Sequence, residues 1–169
     1  NYLNASGNAL GGALYEEINP SNNADITLTS RTSLLSSQFL DNYVISTGAA
    51  AYGGAVGRVL AMTQYLSNTQ LQNSGSTLRV DACAFTSNFA QGKSVVLGGA
   101  LYDASGSTGY MLPTINPLIP LWNSSYAMLM TNCVFAYNSA VSTGSGVIVF
   151  GGAVSSAHVA LHAVSKNKI

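Results

Sequence analysis

Two cysteines, two histidines and six acidic residues offer this chain most of its chemistry, and their spacing decides what that chemistry would be. Cys83 and Cys133 each stand two residues before a phenylalanine, in Val80-Asp81-Ala82-Cys83-Ala84-Phe85 and Met130-Thr131-Asn132-Cys133-Val134-Phe135. If those segments stack, the cysteines make either a disulfide or a ladder of two buried thiols. The disulfide would close a 50-residue loop and add about 4 kcal/mol on the chain-entropy account. A zinc site would need a set of ligands at suitable spacing that the sequence does not supply. His158 and His162 in "HVALH" occupy the outer positions of a helical zinc-protease motif, but Val159 stands where the general-base Glu belongs. On a strand both point to one side, so a surface or packing role is expected. Glu16 and Glu17 are adjacent and would face opposite sides of any strand. They are expected to be solvated turn residues.

Glycoside hydrolysis needs two carboxylates converging across the scissile bond, and pectate-type elimination needs acidic residues holding Ca²⁺ beside a basic residue. Asp25, Asp41, Asp81 and Asp103 stand apart in the chain, and Asp41 and Asp81 hold different repeat positions. The Asn-Thr-Asp, Asp-Asp and Arg-Ile-Lys signatures of polygalacturonases do not occur. Gly144-Ser145-Gly146 lacks the third glycine of a nucleotide loop and reads as a turn. The expectation is a protein without catalytic residues, cofactor or metal, with a polysaccharide lyase or glycoside hydrolase as the enzymatic alternative.

The elements that must position these residues come from a repeat. "FLDN" (39 to 42), "FTSN" (85 to 88) and "FAYN" (135 to 138) are each followed by a Gly-Gly-Ala-aliphatic block at residues 53, 98 and 151. The steps from Asn to the first Gly are 11, 10 and 13 residues, and Asn1 to Gly11 is again 10. Short apolar runs precede each Phe, and no window keeps a helical period, because Gly, Ser and Asn interrupt every candidate. Strand is therefore expected throughout. Repeated short strands with small-residue turns predict an all-β parallel β-helix, a solenoid of roughly three to four coils spaced about 4.8 Å apart. In such a stack Phe39, Phe85 and Phe135 form an internal ladder, and Asn42, Asn88 and Asn138 line a turn with amides bonded from coil to coil. Each Gly pair serves a bend that needs positive φ or close backbone approach. The periods between Gly pairs, 42, 45 and 53 residues, exceed a minimal coil. The excess is placed in insertions at about 59–76 and 104–126 of a single domain spanning residues 1–169.

Phe-x-x-Asn alternating with Gly-Gly-Ala-Ile/Leu/Val resembles the repeat of chlamydial polymorphic outer-membrane proteins and of related repeats in large extracellular proteins. The resemblance runs from Asn1 to about Val154, departing in its long insertions and in Val for Ile at two blocks; the tail "HVALHAVSKNKI" has no Phe-x-x-Asn. It implies a right-handed β-helix at a cell surface with adhesive or scaffolding roles, and it carries over no catalytic residue.

Composition bears on partners. Charged residues are only 7 % of the 169 residues, net charge is zero, and Arg31, Arg58, Arg79, Lys93, Lys166 and Lys168 are scattered. Nucleic acid and anionic membranes need clustered cations, so neither is an expected partner. No apolar run approaches a membrane span. A surface kept soluble by hydroxyls and amides suits an extracellular setting, where the sequons Asn4-Ala5-Ser6 and Asn123-Ser124-Ser125 would accept N-glycans. The second insertion holds three prolines and the sole tryptophan, Trp122. Its apolar surface should pack on the barrel flank or on another chain, and an exposed Trp122 would offer a sugar or protein contact. With no starting Met, the chain is expected to be a processed protein or a fragment of a longer one. The functional expectation is a non-catalytic structural or adhesive segment of a surface or filament protein. Its partners would be other subunits, further coils of the same protein, or glycans. A carbohydrate-active β-helix enzyme or lectin-like module is the alternative.

Overall fold

A computed structural model of the chain describes residues 1–18, 29–60, 75–104, 125–145, 148–156 and 162–165. Tyr2–Ala5 (β1), Ala9–Leu10 (β2) and Leu14–Ile18 (β3) form a partial first round. Thr29–Leu35 (β4), Gln38–Leu40 (β5), Tyr43–Ser46 (β6), Ala51–Tyr52 (β7) and Val56–Leu60 (β8) form the second. Gly75–Asp81 (β9), Ala84–Thr86 (β10), Phe89–Gly92 (β11), Val95–Leu97 (β12) and Leu101–Ala104 (β13) form the third. Ser125–Thr131 (β14), Val134–Ala136 (β15), Ser139–Ser142 (β16), Ile148–Phe150 (β17) and Val154–Ser156 (β18) form the fourth, and His162–Ser165 (β19) follows.

Every fifth strand joins the same sheet. Sheet I is β1-β6-β11-β16, sheet II β2-β7-β12-β17, sheet III β3-β8-β13-β18, sheet IV β4-β9-β14-β19 and sheet V β5-β10-β15. All neighbours are parallel, and equivalent repeat residues face one another: Phe39, Phe85 and Phe135 share one register position, and Leu34, Val80 and Met130 another. The fold is all-β, without a helix among the described residues, and its in-register stacking is compatible with a parallel β-solenoid.

The corners explain much of the turn chemistry. The chain passes from sheet IV to V on one residue of positive φ, at Ser36 (47°), Ala82 (53°) and Asn132 (55°), and from V to I at Asp41 (50°), Ser87 (56°) and Tyr137 (57°). From II to III the same role falls to Gly11, Gly53, Gly98 and Gly151. The second glycine of each pair has a different reason. A Cβ on Gly54 would lie 2.0 Å from the Gly99 carbonyl oxygen, and one on Gly99 would lie 1.9 Å from that of Gly152. There is no room for a side chain between rounds.

Three apolar clusters fill the stack. Sheets III, IV and V enclose Val56, Leu101, Leu78, Val80, Met128, Met130 and the phenylalanines. The Phe rings stack at 4.7 Å (Phe39 to Phe85) and 4.8 Å (Phe85 to Phe135), the second pair inclined by only 3°. Strand spacing of about 4.8 Å imposes that separation on any column of like rings. Each fully buried ring contributes roughly 1.5–3 kcal/mol of transfer free energy. Val44, Ala51, Ala90 and Val96 fill the space between sheets I and II. Their sequence neighbours Tyr52 and Leu97 point the other way and join Val59, Tyr102 and Ala104 in a second core on the reverse faces of sheets II and III. Tyr52 and Tyr102 stack there at 5.0 Å, and burial pushes both phenols above their ordinary range.

The strands redraw the edges of both expected insertions. Val59 and Leu60 belong to β8, Gly75 and Ser76 to β9, Ala104 to β13, and Ser125 and Tyr126 to β14. Val59 and Ser76 are buried strand residues rather than parts of an insertion, because strand pairing extends past the point where the repeat motif ends. Asp25, Trp122, Asn123, His158, Lys166 and Lys168 lie outside the described residues.

Candidate functional site: polar columns between the rounds

Stacking in register turns equivalent polar residues into columns, and two columns hold most of the buried polar chemistry. The first is made of asparagines at the turn from sheet V to sheet I. Asn1 Nδ2 donates to Asn42 Oδ1 (2.9 Å), Asn42 Nδ2 to Asn88 Oδ1 (2.8 Å) and Asn88 Nδ2 to Asn138 Oδ1 (2.8 Å). The Asn88 and Asn138 oxygens also each take a backbone N–H, from Asn42 (3.1 Å) and Asn88 (3.0 Å). The second amide hydrogen reaches back to a main-chain carbonyl one round earlier, Asn88 to Phe39 O (2.9 Å) and Asn138 to Phe85 O (2.8 Å). Asparagine is suited to this place because one side chain both donates twice and accepts. Aspartate would present acceptors to acceptors.

The second column lies on sheet III. Glu16, Arg58, Asp103 and Ser156 occupy one register position on β3, β8, β13 and β18. The Arg58 guanidinium donates from Nε to Glu16 Oε2 (2.7 Å), from Nη1 to both Asp103 oxygens (3.4 Å each) and from Nη2 to Ser76 Oγ (3.0 Å). Ser30 and Thr32 hydroxyls donate to the Glu16 carboxylate from the facing sheet IV. Arg58 and Asp103 side chains are fully buried, and Glu16 keeps 26 % of its side chain exposed.

This column overturns two expectations. Glu16 is an ion-paired strand residue, not a solvated turn residue, and Asp103 is not isolated, because the buried Arg58 bonds to both. Strand alternation does separate Glu16 from Glu17, whose carboxylate accepts the Tyr15 hydroxyl at 2.6 Å. The signal was present in the sequence: Glu16, Arg58, Asp103 and Ser156 each follow the first glycine of a Gly-Gly-Ala block by 5 residues. Extending the block by two residues places them in one column. Charge separation along the chain hid it, because parallel stacking brings together residues more than 40 positions apart.

Glu16 is tuned to stay ionised. Burial by itself would raise its pKa, but hydrogen bonds from Arg58, Thr32 and Ser30 and the charge of Arg58 together outweigh it and hold the carboxyl below the ordinary value of 4.5. A carboxyl so held is a poor general acid at neutral pH. A pKa depressed in the folded state adds stability above the unfolded value, and that stability is lost as pH falls through the folded value. Thermal midpoints measured from pH 6 downward, ~2 pH units through the ordinary carboxylate range, should therefore fall more steeply for the wild type than for Glu16→Gln.

The remaining candidates are dispersed. Cys83 and Cys133 are buried thiols at equivalent positions of the first apolar cluster. Cys83 Sγ donates to Leu34 O and Asp81 O (3.3 Å each), Cys133 Sγ to Val80 O (3.5 Å) and Thr131 O (3.2 Å), and burial raises the Cys133 pKa. Asp81 accepts from Thr131 Oγ1 (2.6 Å), Asn132 Nδ2 (3.2 Å) and Arg79 Nη2 (3.3 Å), which lower its pKa. Asp41 is an exposed corner residue. Asn4 is exposed on the outward side of β1. The His162 backbone lies in β19, paired with Met128. Among the described residues no three His, Cys, Asp or Glu side chains converge as a metal shell requires.

No family model matches the chain, and neither the curated proteins nor the solved structures contain a match to it.

Proposed function

We propose that the chain is a right-handed parallel β-helix segment serving as a non-catalytic scaffold with an adhesive surface, part of an extracellular surface or filament protein. The observation that carries this reading is where the polar side chains are used. Asn42, Asn88 and Asn138 bond round to round, and Glu16, Arg58 and Asp103 close on one another. Groups that could have done chemistry hold successive rounds together, as a stiff rod requires. The repeat resemblance, the low charge and the sequon at Asn4 support the extracellular setting and the glycan. Partners on this reading are further coils or other subunits, seated on open strand edges.

A carbohydrate-active or lectin-like module is the second reading. It is favoured by one observation: Glu16 and Asp103 both lie within bonding reach of the same guanidinium, so two carboxylates do converge. Against hydrolysis, Arg58 occupies the space between them and is itself fully buried.

Gly152 supplies the test. In the inner rounds a Cβ at this position strikes the next round, whereas at Gly152 the nearest atom to a Cβ among the described residues is Asn138 O at 3.9 Å. Gly152→Ala should leave the stability of the single chain unchanged and block any further round from seating. The expected result is end-to-end assembly of the wild type in sedimentation and electron microscopy, and monomers of Gly152→Ala with the same denaturation midpoint. A wild type that stays monomeric at every concentration, or equal assembly of both, would count against the scaffold.

A further inference from the structure

Four aromatic side chains outside the core lie along one corner of the stack, while the exposed Tyr15 and Phe150 stand apart on sheets III and II. On sheet I, Val44 and Ala90 turn inward, so Tyr43 and Phe89, one residue earlier, turn outward. Tyr2 stands in register with Tyr43, and Tyr43 with Phe89. Tyr2 is 65 % and Tyr43 37 % exposed; Phe89 is half-buried, its ring 6.1 Å from that of Tyr43 and inclined at 51°. In the fourth round Ser139 takes the register position beside Phe89, and the aromatic appears two residues earlier, as Tyr137 at the turn from sheet V. Each of the four rounds therefore contributes one ring to the same edge.

Tyr137 is the second, independent observation. It is 89 % exposed and held at φ 57°, a left-handed conformation that strains a bulky residue. The corner itself requires that conformation, since Asp41 (50°) and Ser87 (56°) hold it at the equivalent positions, so what the fold leaves unexplained is the large ring placed there in solvent where a small polar side chain suffices. An exposed aromatic with no packing role is the kind of side chain that binding surfaces use.

The chemistry of the corner selects the partner. Beside the rings stand the amide of Gln91 and the hydroxyl of Ser139, and the only charged side chain on the strands of sheets I and V or the turn between them is Asp41. A single-stranded nucleic acid would also stack on such rings, but it needs cations along its backbone, and a lone carboxylate repels it. Sugar rings present C–H faces to aromatics and hydroxyls to amides, without charge. We propose that the corner between sheets V and I, marked by Tyr2, Tyr43, Phe89 and Tyr137, is a binding ridge for a neutral polysaccharide. This rests on the adhesive reading above and names its ligand class.

Isothermal titration of the full 169-residue chain with laminarihexaose and cellohexaose, two neutral β-glucan oligosaccharides, tests it, with an oligogalacturonate of equal length as the acidic comparison. The neutral sugars should bind and the acidic one should not. Tyr43→Ser and Tyr137→Ser should each weaken binding by about tenfold or more, comparable to losing one stacked base from an aromatic platform. Tyr15→Ser, at an exposed tyrosine on sheet III, should not. Tyr137→Ser should also raise the thermal midpoint, so a loss of affinity there cannot come from unfolding. No binding of either neutral sugar, unchanged affinity in both ridge variants, preference for the acidic sugar, or ridge variants that alter only self-association would overturn the proposal. The scaffold reading would then still stand or fall on the Gly152→Ala assembly experiment alone.

Discussion

Gly99→Ala should strongly destabilise the folded state of this chain. The added methyl would lie 1.9 Å from the Gly152 carbonyl oxygen and 2.5 Å from the carbonyl carbon of Ser139. All of these atoms are backbone, so no rotamer change relieves the clash. Rounds three and four would have to separate there, breaking the Gly99 N–H bond to Gly151 O (3.1 Å) and the flanking Ala100 N–H bond to Ala153 O (2.8 Å). Overpacking of well-filled sites costs about 1–3 kcal/mol when side chains can shift. With backbone on both sides the cost should exceed about 3 kcal/mol, a large part of the usual stability of a domain. Urea titration followed by circular dichroism measures it, with Gly152→Ala as the matched control that keeps the wild-type midpoint. A Gly99→Ala protein as stable as that control would show that the rounds are not stacked as described.

Removal of the buried guanidinium should be the second large effect. Arg58→Met keeps much of the side-chain volume but leaves the Asp103 carboxylate fully buried without this cation, and takes from Glu16 its ion-pair partner. Breaking a buried ion pair from one side costs about 3–5 kcal/mol, because the remaining charge has lost its solvent and its partner. Replacing the whole column is a different matter. Glu16→Met, Arg58→Met and Asp103→Leu together remove the charges along with their desolvation penalty, and such exchanges are often neutral or stabilising. The triple variant should therefore recover most of what Arg58→Met loses, and a double-mutant cycle between Arg58 and Asp103 should give strong coupling. Additive effects at those two sites would mean that the pair does not form.

These two cases show what was readable before any coordinates. The Gly pair was legible as a bend with close backbone approach, because a recurring residue without a side chain has few other uses. Which glycine serves which purpose was not: the first takes the positive φ and the second makes room for the next round, and only the three-dimensional stack separates the two needs. Corners at Ser36, Ala82, Asn132, Asp41, Ser87 and Tyr137 carry no common residue type, so their shared backbone conformation left no mark in the sequence. Glu16, Arg58 and Asp103 were legible in principle, at a constant offset from each Gly pair, but their differing charges disguised a common position.

By itself the sequence determined the period, the strand character and which residues are equivalent from round to round, since spacing and alternation are properties of the chain. Tertiary structure alone decided what equivalent residues do to one another. Parallel in-register stacking sets unlike side chains about 4.8 Å apart across more than 40 residues of chain. Contact at that range turns Glu16, Arg58 and Asp103 into one neutralised unit and sets three outward rings and Tyr137 along a single edge. Neither arrangement exists for a chain read one residue at a time.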